Sequence, residues 1–292
     1  MEVIQYMIIN QLESKLRSIG IIGASGFLGG KLYSDLRLNA NVVGTYNSNS
    51  KPGLVKLDIA LEEEVKAFFE KYKFDILLIP GGITYPDVCE NNKEEANRAN
   101  VIGIKNIIKY CNCKIIYFST DYVFDGKIGK YSEYDALNPV NYYGYTKVEA
   151  EKVIMSHDNN VVLRVSGLYG TSELNNDFVK SLYSNPVIYK SDDNLSCNLL
   201  VDDVTKNLDY FIGKSGIFHL TDACPISKYE FTKMAVEILE IDSKVLPKPA
   251  KELYKFAMRP RDTSLISKRH DLCLRGPREG LTYLKKILQN DD

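Results

Sequence analysis

Tyr143 and Lys147 lie four residues apart in the run Tyr142-Tyr143-Gly144-Tyr145-Thr146-Lys147. On a helix that spacing puts a phenol and an ammonium on one face. A free tyrosine has a pKa of about 10, and a neighbouring ammonium favours the phenolate and lowers that value. Such a tyrosine can hand its proton to a carbonyl oxygen as hydride reaches the carbon. Spacing alone is a weak signal, because the chain has 20 Tyr and the same Tyr-x-x-x-Lys pattern recurs at Tyr110, Tyr210 and Tyr229. Tyr143 stands apart through two further signals: a glycine-rich loop near the amino terminus and the segment Ser119-Thr120-Asp121-Tyr122-Val123-Phe124-Asp125-Gly126.

The loop reads Ile19-Gly20-Ile21-Ile22-Gly23-Ala24-Ser25-Gly26-Phe27-Leu28-Gly29, an apolar strand running into a helical pattern. Gly23, Gly26 and Gly29 permit a tight turn, close backbone approach to a pyrophosphate, and close packing of helix on strand. Strand, spacing and helix agree, so an ordinary glycine-containing turn is the weaker reading. The acidic residue that holds a ribose 2′-hydroxyl is expected about 20 residues on. There the chain reads Thr45-Tyr46-Asn47-Ser48-Asn49-Ser50-Lys51, without a carboxylate. Nothing in it repels a 2′-phosphate, and Asn47, Ser48 and Lys51 offer hydrogen bonds and charge, so NADP(H) is preferred with NAD(H) as the alternative. Asp58, in Leu57-Asp58-Ile59, suits either the adenine edge or the N-cap of the next helix.

A sheet must position these groups. Short apolar runs at 18–22, 41–45, 75–80, 114–118 and 161–164 alternate with helical patterns at 27–38, 61–71, 93–110 and 142–156. That rhythm predicts an α/β fold with a Rossmann-like, doubly wound parallel sheet. Thr120 then ends the predicted fourth strand, at the carboxyl edge where open α/β sheets bind ligands. Its hydroxyl would orient a substrate carbonyl, against the plainer role of a strand-terminal turn former. Residues 17–170 are read as the NAD(P)-binding domain. Residues 171–292 are read mainly as a smaller substrate-binding lobe, some segments returning to the sheet, with helices near 178–183, 202–211, 228–239 and 280–288. Residues 1–16 form an N-terminal extension whose Ile4, Ile8, Leu12 and Leu16 make one helical stripe, suited to local packing or a subunit interface, or the product of a start codon placed upstream.

Composition narrows the chemistry. The 292 residues are 45% apolar, enough for a well-filled core, and carry 37 basic against 38 acidic residues for a net charge of −1. Interspersed charge of that kind gives no footprint for nucleic acid or an anionic membrane, so a small-molecule partner is expected. The apolar opening, residues 1–10, is too short to span a bilayer and lacks the marks of a signal peptide, which predicts a cytoplasmic protein. The six cysteines are irregularly spaced and are read as buried thiols, and the Cys-x-Cys at Cys111 lacks a second ligand pair. With three widely separated histidines, neither a metal site nor a Ser-His-Asp triad is expected.

Glycine loop, Thr120 and Tyr143 with Lys147 together resemble the extended short-chain dehydrogenase/reductase superfamily, and more specifically the dTDP-4-dehydrorhamnose reductase group. The group's Ser-Thr-Asp-Tyr-Val-Phe-Asp-Gly signature is intact at 119–126, and its Pro-x-Asn-x-Tyr-Gly-x-Ser/Thr-Lys signature is found at 139–147. Similarity continues in Arg164-Val165-Ser166-Gly167-Leu168-Tyr169-Gly170, Val201-Asp202-Asp203, Gly216-Ile217-Phe218-His219-Leu220 and Arg259-Pro260-Arg261-Asp262-Thr263-Ser264-Leu265, so it covers nearly everything after residue 17. The resemblance implies that Thr120, Tyr143 and Lys147 are catalytic in reduction of a keto group on a nucleotide-linked 6-deoxy sugar. It also implies that Gly23, Ser25, Gly26, Phe27, Leu28 and Gly29 hold the cofactor phosphates, that Ile59, Gly81 and Gly82 border the cofactor, and that Asn100 supports Lys147 through an ordered water. A homodimer is a family expectation. Three departures stand out: Ile22 replaces a common threonine, Pro80-Gly81-Gly82 replaces an alanine-rich strand end, and Gly167 stands where rhamnose-forming members usually carry tryptophan. Two rival readings are a nucleotide-sugar epimerase or dehydratase with tightly held NAD, and a non-catalytic NADP-binding regulatory subunit similar to that of methionine adenosyltransferase. The missing acidic residue near Thr45 counts against the first.

Overall fold

Runs of Val, Ile and Leu without polar interruption suit strands buried on both faces, as in a parallel sheet flanked by helices. The structure is a computed structural model that describes residues 17–172 and 177–290, so the N-terminal extension and its stripe lie outside the described residues. Its strands are β1 (Ser18–Ile21), β2 (Asn41–Tyr46), β3 (Val55–Lys56), β4 (Ile76–Ile79), β5 (Lys114–Thr120), β6 (Val161–Val165), β7 (Val187–Ser191), β8 (Leu195–Ser196), β9 (Gly216–His219), β10 (Ile226–Ser227) and β11 (Lys244–Lys248). Seven of them form one sheet in the order β3-β2-β1-β4-β5-β6-β9, every pair parallel. The helices are α1 (Phe27–Leu36), α2 (Glu62–Lys71), α3 (Pro86–Asn91), α4 (Lys93–Asn97), α5 (Gly103–Tyr110), α6 (Tyr142–Ile154), α7 (Asp177–Tyr183), α8 (Val201–Ile212), α9 (Lys228–Ile238), α10 (Ala250–Leu253) and α11 (Pro277–Asn290).

Alternate side chains of one strand enter opposite layers. Ile76 and Leu78 join Leu28 and Leu32 of α1 and Leu208 and Phe211 of α8 on one face. Leu77 and Ile79 meet Val65 and Phe68 of α2, Ile104 and Ile107 of α5, and Ala150 and Ile154 of α6 on the other. From β1 the chain moves outward to β2 and β3, then crosses back to β4 on the other side of β1. That reversal opens a crevice at the carboxyl ends of β1 and β4.

The five apolar runs are β1, β2, β4, β5 and β6. β3 and β9 were not foreseen, so Thr120 ends the fifth strand in chain order rather than the fourth. Two residues are too few for β3 to show any periodicity. The single helix expected over 93–110 is divided by a π-helical turn, Arg98–Ile102, between α4 and α5. Beyond Gly170, α8 and β9 complete the main sheet, while α7, α9 and α11 pack around Tyr169, Leu182, Phe231, Leu281 and Leu284. The cysteines divide by location: Cys89 and Cys197 are buried, Cys111 and Cys113 in the α5–β5 loop are half-buried, and Cys224 and Cys273 on loops are exposed. The expectation of six buried thiols therefore fails for Cys111, Cys113, Cys224 and Cys273. No described helix is long and apolar enough to cross a membrane.

Candidate active site

A cavity of about 610 Å³ occupies the crevice, and the loop from β1 into α1 forms its floor. Gly23 has a φ of 84°, and a Cβ there would stand 2.6 Å from the Gly81 Cα. A Cβ on Gly29 would stand 2.2 Å from the Gly23 carbonyl oxygen. Neither position admits a side chain, so the loop and the end of β4 meet as bare backbone. Gly26 is the N-cap of α1 without a side-chain cap, and the first turn of α1 carries no acidic residue. The positive end of that helix is thus left to an anion, with Ser25, Phe27 and Leu28 around it. A bare-backbone loop that ends on an uncapped helix N-terminus fits the pyrophosphate of a dinucleotide.

Asn47, Ser48 and Ile59 line the next stretch of wall, but Lys51 and Asp58 do not. A cation reaches Asn47 from another direction: Lys56 Nζ donates to the Asn47 backbone oxygen at 2.6 Å and to its Oδ1 at 2.5 Å. β3 delivers it through the Tyr46↔Lys56 pairing, which the sequence reading lacked. Asp58 accepts from Arg98 Nη2 at 2.8 Å and from the Ala60 amide at 2.9 Å, while the N-cap of α2 is Leu61. Its carboxylate makes a local turn three residues short of the cap, so the N-cap reading is corrected. Gly81 and Gly82 line the cavity, and Asn100 stands behind them. Asn100 Oδ1 accepts from the Ile83 amide at 2.8 Å, and its Nδ2 donates to the Ile83 carbonyl at 3.0 Å and to Thr146 Oγ1 at 3.1 Å. It braces this wall against α6.

Thr120, Tyr143 and Lys147 line the far end of the same cavity. Asn141 caps α6 by accepting from the Gly144 amide at 2.9 Å. Gly144 lets the helix seat on the turn after β5, since a Cβ there would lie 2.1 Å from the Tyr122 carbonyl oxygen. Lys147 is 4% exposed; its Nζ donates to the Phe118 carbonyl at 2.7 Å and lies 4.1 Å from the centre of the Tyr117 ring. Burial pulls its pKa down to about 7, with Glu151 opposing. Burial pushes Tyr143 above the usual phenol range, with Thr120 hydrogen bonding against it. The expectation that the ammonium acidifies the phenol is therefore corrected: the ammonium turns to Phe118 and Tyr117, and desolvation favours the neutral form of both groups.

Beneath these side chains lies a polar network that the sequence reading missed. Asp121, buried, accepts from Ser166 Oγ at 2.8 Å, Thr263 Oγ1 at 2.5 Å and Thr120 Oγ1 at 3.1 Å, and burial raises its pKa. Glu151 pairs with the equally buried Arg164 at 2.7 Å and accepts from Ser119 Oγ. His219 Nδ1 faces the carbonyls of Tyr131 and Ile266 at 3.1 and 3.0 Å, so it carries the proton and Nε2 accepts from Arg164 Nη1 at 3.3 Å. Burial, reinforced by Arg164, holds this imidazole near a pKa of about 4. One sequence signal for the network was available: Glu151 follows Lys147 by one helical turn. Tyr122 packs edge-on to Tyr143 at 6.0 Å. Beyond it, Lys228 and Arg259 lie 5.3 and 4.1 Å from the Tyr254 ring centre, and Arg259 pairs with Asp87 at 2.8 Å. Tyr254 and Arg259 open onto a second cavity of about 620 Å³. Among the described residues no group of three or more His, Cys, Asp or Glu is gathered to hold a metal.

A family model described as the RmlD substrate binding domain matches residues 17–289. The chain belongs to this family. It is 35% identical over 159 residues to methionine adenosyltransferase 2 subunit beta of Xenopus tropicalis, a match covering 52% of this chain. The matched stretch spans about half that relative's length, 47%. The dTDP-4-dehydrorhamnose reductase ortholog of Clostridium acetobutylicum superposes with a TM-score of 0.82 at 28% identity, covering 93% of this chain and 99% of the other. The dTDP-4-dehydrorhamnose reductase of Bacillus anthracis, solved with NADP, shares the fold with a TM-score of 0.84 at 24% identity over 94% and 100% of the two chains. In this family member, Gly167 has a φ of 49°, and a Cβ there would lie 2.5 Å from Asn198 Oδ1 and 2.6 Å from the Cys197 carbonyl oxygen. No side chain enters the cavity at position 167.

Proposed function

We propose that this chain reduces a keto group on a nucleotide-linked 6-deoxy sugar, with NADPH as the preferred reductant and NADH as the alternative. The observation that carries the reading is one cavity with a backbone anion cradle at one end and Thr120, Tyr143 and Lys147 at the other. When bound, the dihydronicotinamide supplies hydride to the carbonyl carbon. Thr120 turns its hydroxyl proton from Asp121 to the carbonyl oxygen, and Tyr143, kept protonated by its burial, gives that oxygen its proton. The phenolate left behind regains a proton from water, while Lys147, anchored on the Phe118 carbonyl, borders the same cavity as a donor toward the bound cofactor. Lys228 and Arg259, beside Tyr122 and Tyr254, suit the diphosphate of the nucleotide carrier. Under this reading residues 17–170 hold mainly cofactor and 171–292 mainly substrate, and the chain works in the cytoplasm. The test is NADPH oxidation by pure protein given enzymatically generated dTDP-4-dehydrorhamnose. Turnover that vanishes in Tyr143→Phe supports the proposal.

A second reading is a non-catalytic NADP-binding subunit, supported by similarity to methionine adenosyltransferase 2 subunit beta. Tight NADPH binding without turnover on keto sugars, together with co-elution with a methionine adenosyltransferase catalytic subunit, would favour it.

A further inference from the structure

Cys111 and Cys113 occupy the foot of β5, the end opposite Thr120. Cys111 ends α5 as its C-cap, its amide bonding the Ile107 carbonyl at 2.8 Å and its backbone extended. In extended chain, residues two apart point the same way, and the two sulfurs meet at 3.2 Å. The Cys111 thiol also donates to the Cys113 carbonyl at 3.8 Å. Both side chains are half-buried, within reach of small reagents, and Asn112 between them is exposed. With no group of three or more such ligands among the described residues, the pair is no metal cage.

We propose that Cys111 and Cys113 are a reversible redox pair, which a low-molecular-weight disulfide such as glutathione disulfide converts into an intramolecular disulfide. Cys111 thiolate attacks one sulfur of the reagent, forming a mixed disulfide and releasing one glutathione thiolate. Cys113, its proton passed to water, then attacks the Cys111 sulfur, closing the protein disulfide and releasing the second glutathione. Two protein thiols are oxidised by two electrons and one glutathione disulfide is reduced to two thiols. The order follows from the contact: a hydrogen bond from the Cys113 thiol eases ionisation of Cys111 and hinders that of Cys113. Cys89 and Cys197 are buried, with thiols pushed up to about 11 and about 12, and should stay inert.

The experiment equilibrates the full-length protein in glutathione buffers of increasing oxidation, alkylates the remaining thiols, and maps all six cysteines by peptide mass spectrometry. Cys111 and Cys113 should lose their thiols together, retain no glutathione, and recover both with dithiothreitol. Cys113→Ser, its fold checked by its melting temperature, should leave Cys111 carrying glutathione. The proposal is overturned if both thiols survive a buffer in which exposed Cys224 or Cys273 becomes glutathionylated, or if wild-type Cys111 retains the adduct as the variant does.

Discussion

At the cofactor end of the cavity the wall is main chain: Gly23, Gly29 and Gly81 approach so closely that no Cβ fits between them. At the Tyr143 end the wall is side chain: Asp121 gathers hydroxyls from Thr120, Ser166 and Thr263, and beyond it Arg259, held between Tyr254 and Asp87, lines the second cavity. The first end takes its charge from backbone dipoles that do not titrate, and it is intolerant of volume. The second depends on which groups are ionised. A lesion at either end therefore has a different signature, which separates binding of cofactor from chemistry on substrate.

The largest expected effect is at Tyr143. Tyr143→Phe removes the proton and keeps the ring, so turnover should fall by about 10²–10⁴-fold while the NADPH dissociation constant, measured by titration calorimetry, stays nearly unchanged. Equal loss of both would erase the distinction between the two ends. Gly29→Ala should do the opposite, because its Cβ would press on the Gly23 carbonyl oxygen; overpacking of about 1–3 kcal/mol should lower the melting temperature and weaken NADPH binding. Gly213→Ala, where nothing lies within 4 Å of the added Cβ, is its neutral control.

At the corner between backbone and charge, Lys56→Ala should weaken NADPH by about 10-fold and leave NADH alone, whereas Lys51→Ala should change neither. The reverse result in fluorescence titrations would return the 2′-phosphate to Lys51. The remaining effect concerns stability of the free protein rather than binding or turnover. Lys147 has a folded pKa of about 7 against an ordinary 10.5, so between these values the unfolded chain binds more protons and stability rises with pH. Lys147→Met should flatten that rise in melting-temperature profiles, and an unchanged slope would mean that Lys147 is not the group titrating.

The cofactor end was legible because a backbone cradle is written as one contiguous stretch: β1, the glycines and α1 follow in order, and all lie where the sequence puts them. The two signatures at 119–126 and 139–147 were legible for a similar reason, with Asn141 and Gly144 each answering to a local need of α6. Lys56 was hidden because it depends on β3, a two-residue edge strand with no pattern of its own. Asp58 was misread as a possible cap because helix starts are placed only to within a few residues by sequence. The Glu151, Arg164 and His219 network was hidden because its members meet only across α6, β6 and β9. The Tyr143–Lys147 pairing shows the limit of spacing arguments. One face of a helix was correct, but the balance between burial and charge needed the carbonyl of Phe118 and the ring of Tyr117.

The π-helical turn at Arg98–Ile102 acts as a phase shifter. It holds one residue more than an ordinary turn, so α4 and α5 run as one rod while presenting two differently phased faces. Glu95, before it, and Ala99, at its start, look onto the cavity; after it, Ile104 and Ile107 enter the core. Deleting one residue there would leave an ordinary helix with every backbone bond made, yet turn its two halves by about 100° relative to each other. Asn100 would swing off Ile83 and Thr146, and the cavity wall would lose its brace. In this segment length carries more information than composition: many substitutions preserve the phase, and no single deletion does.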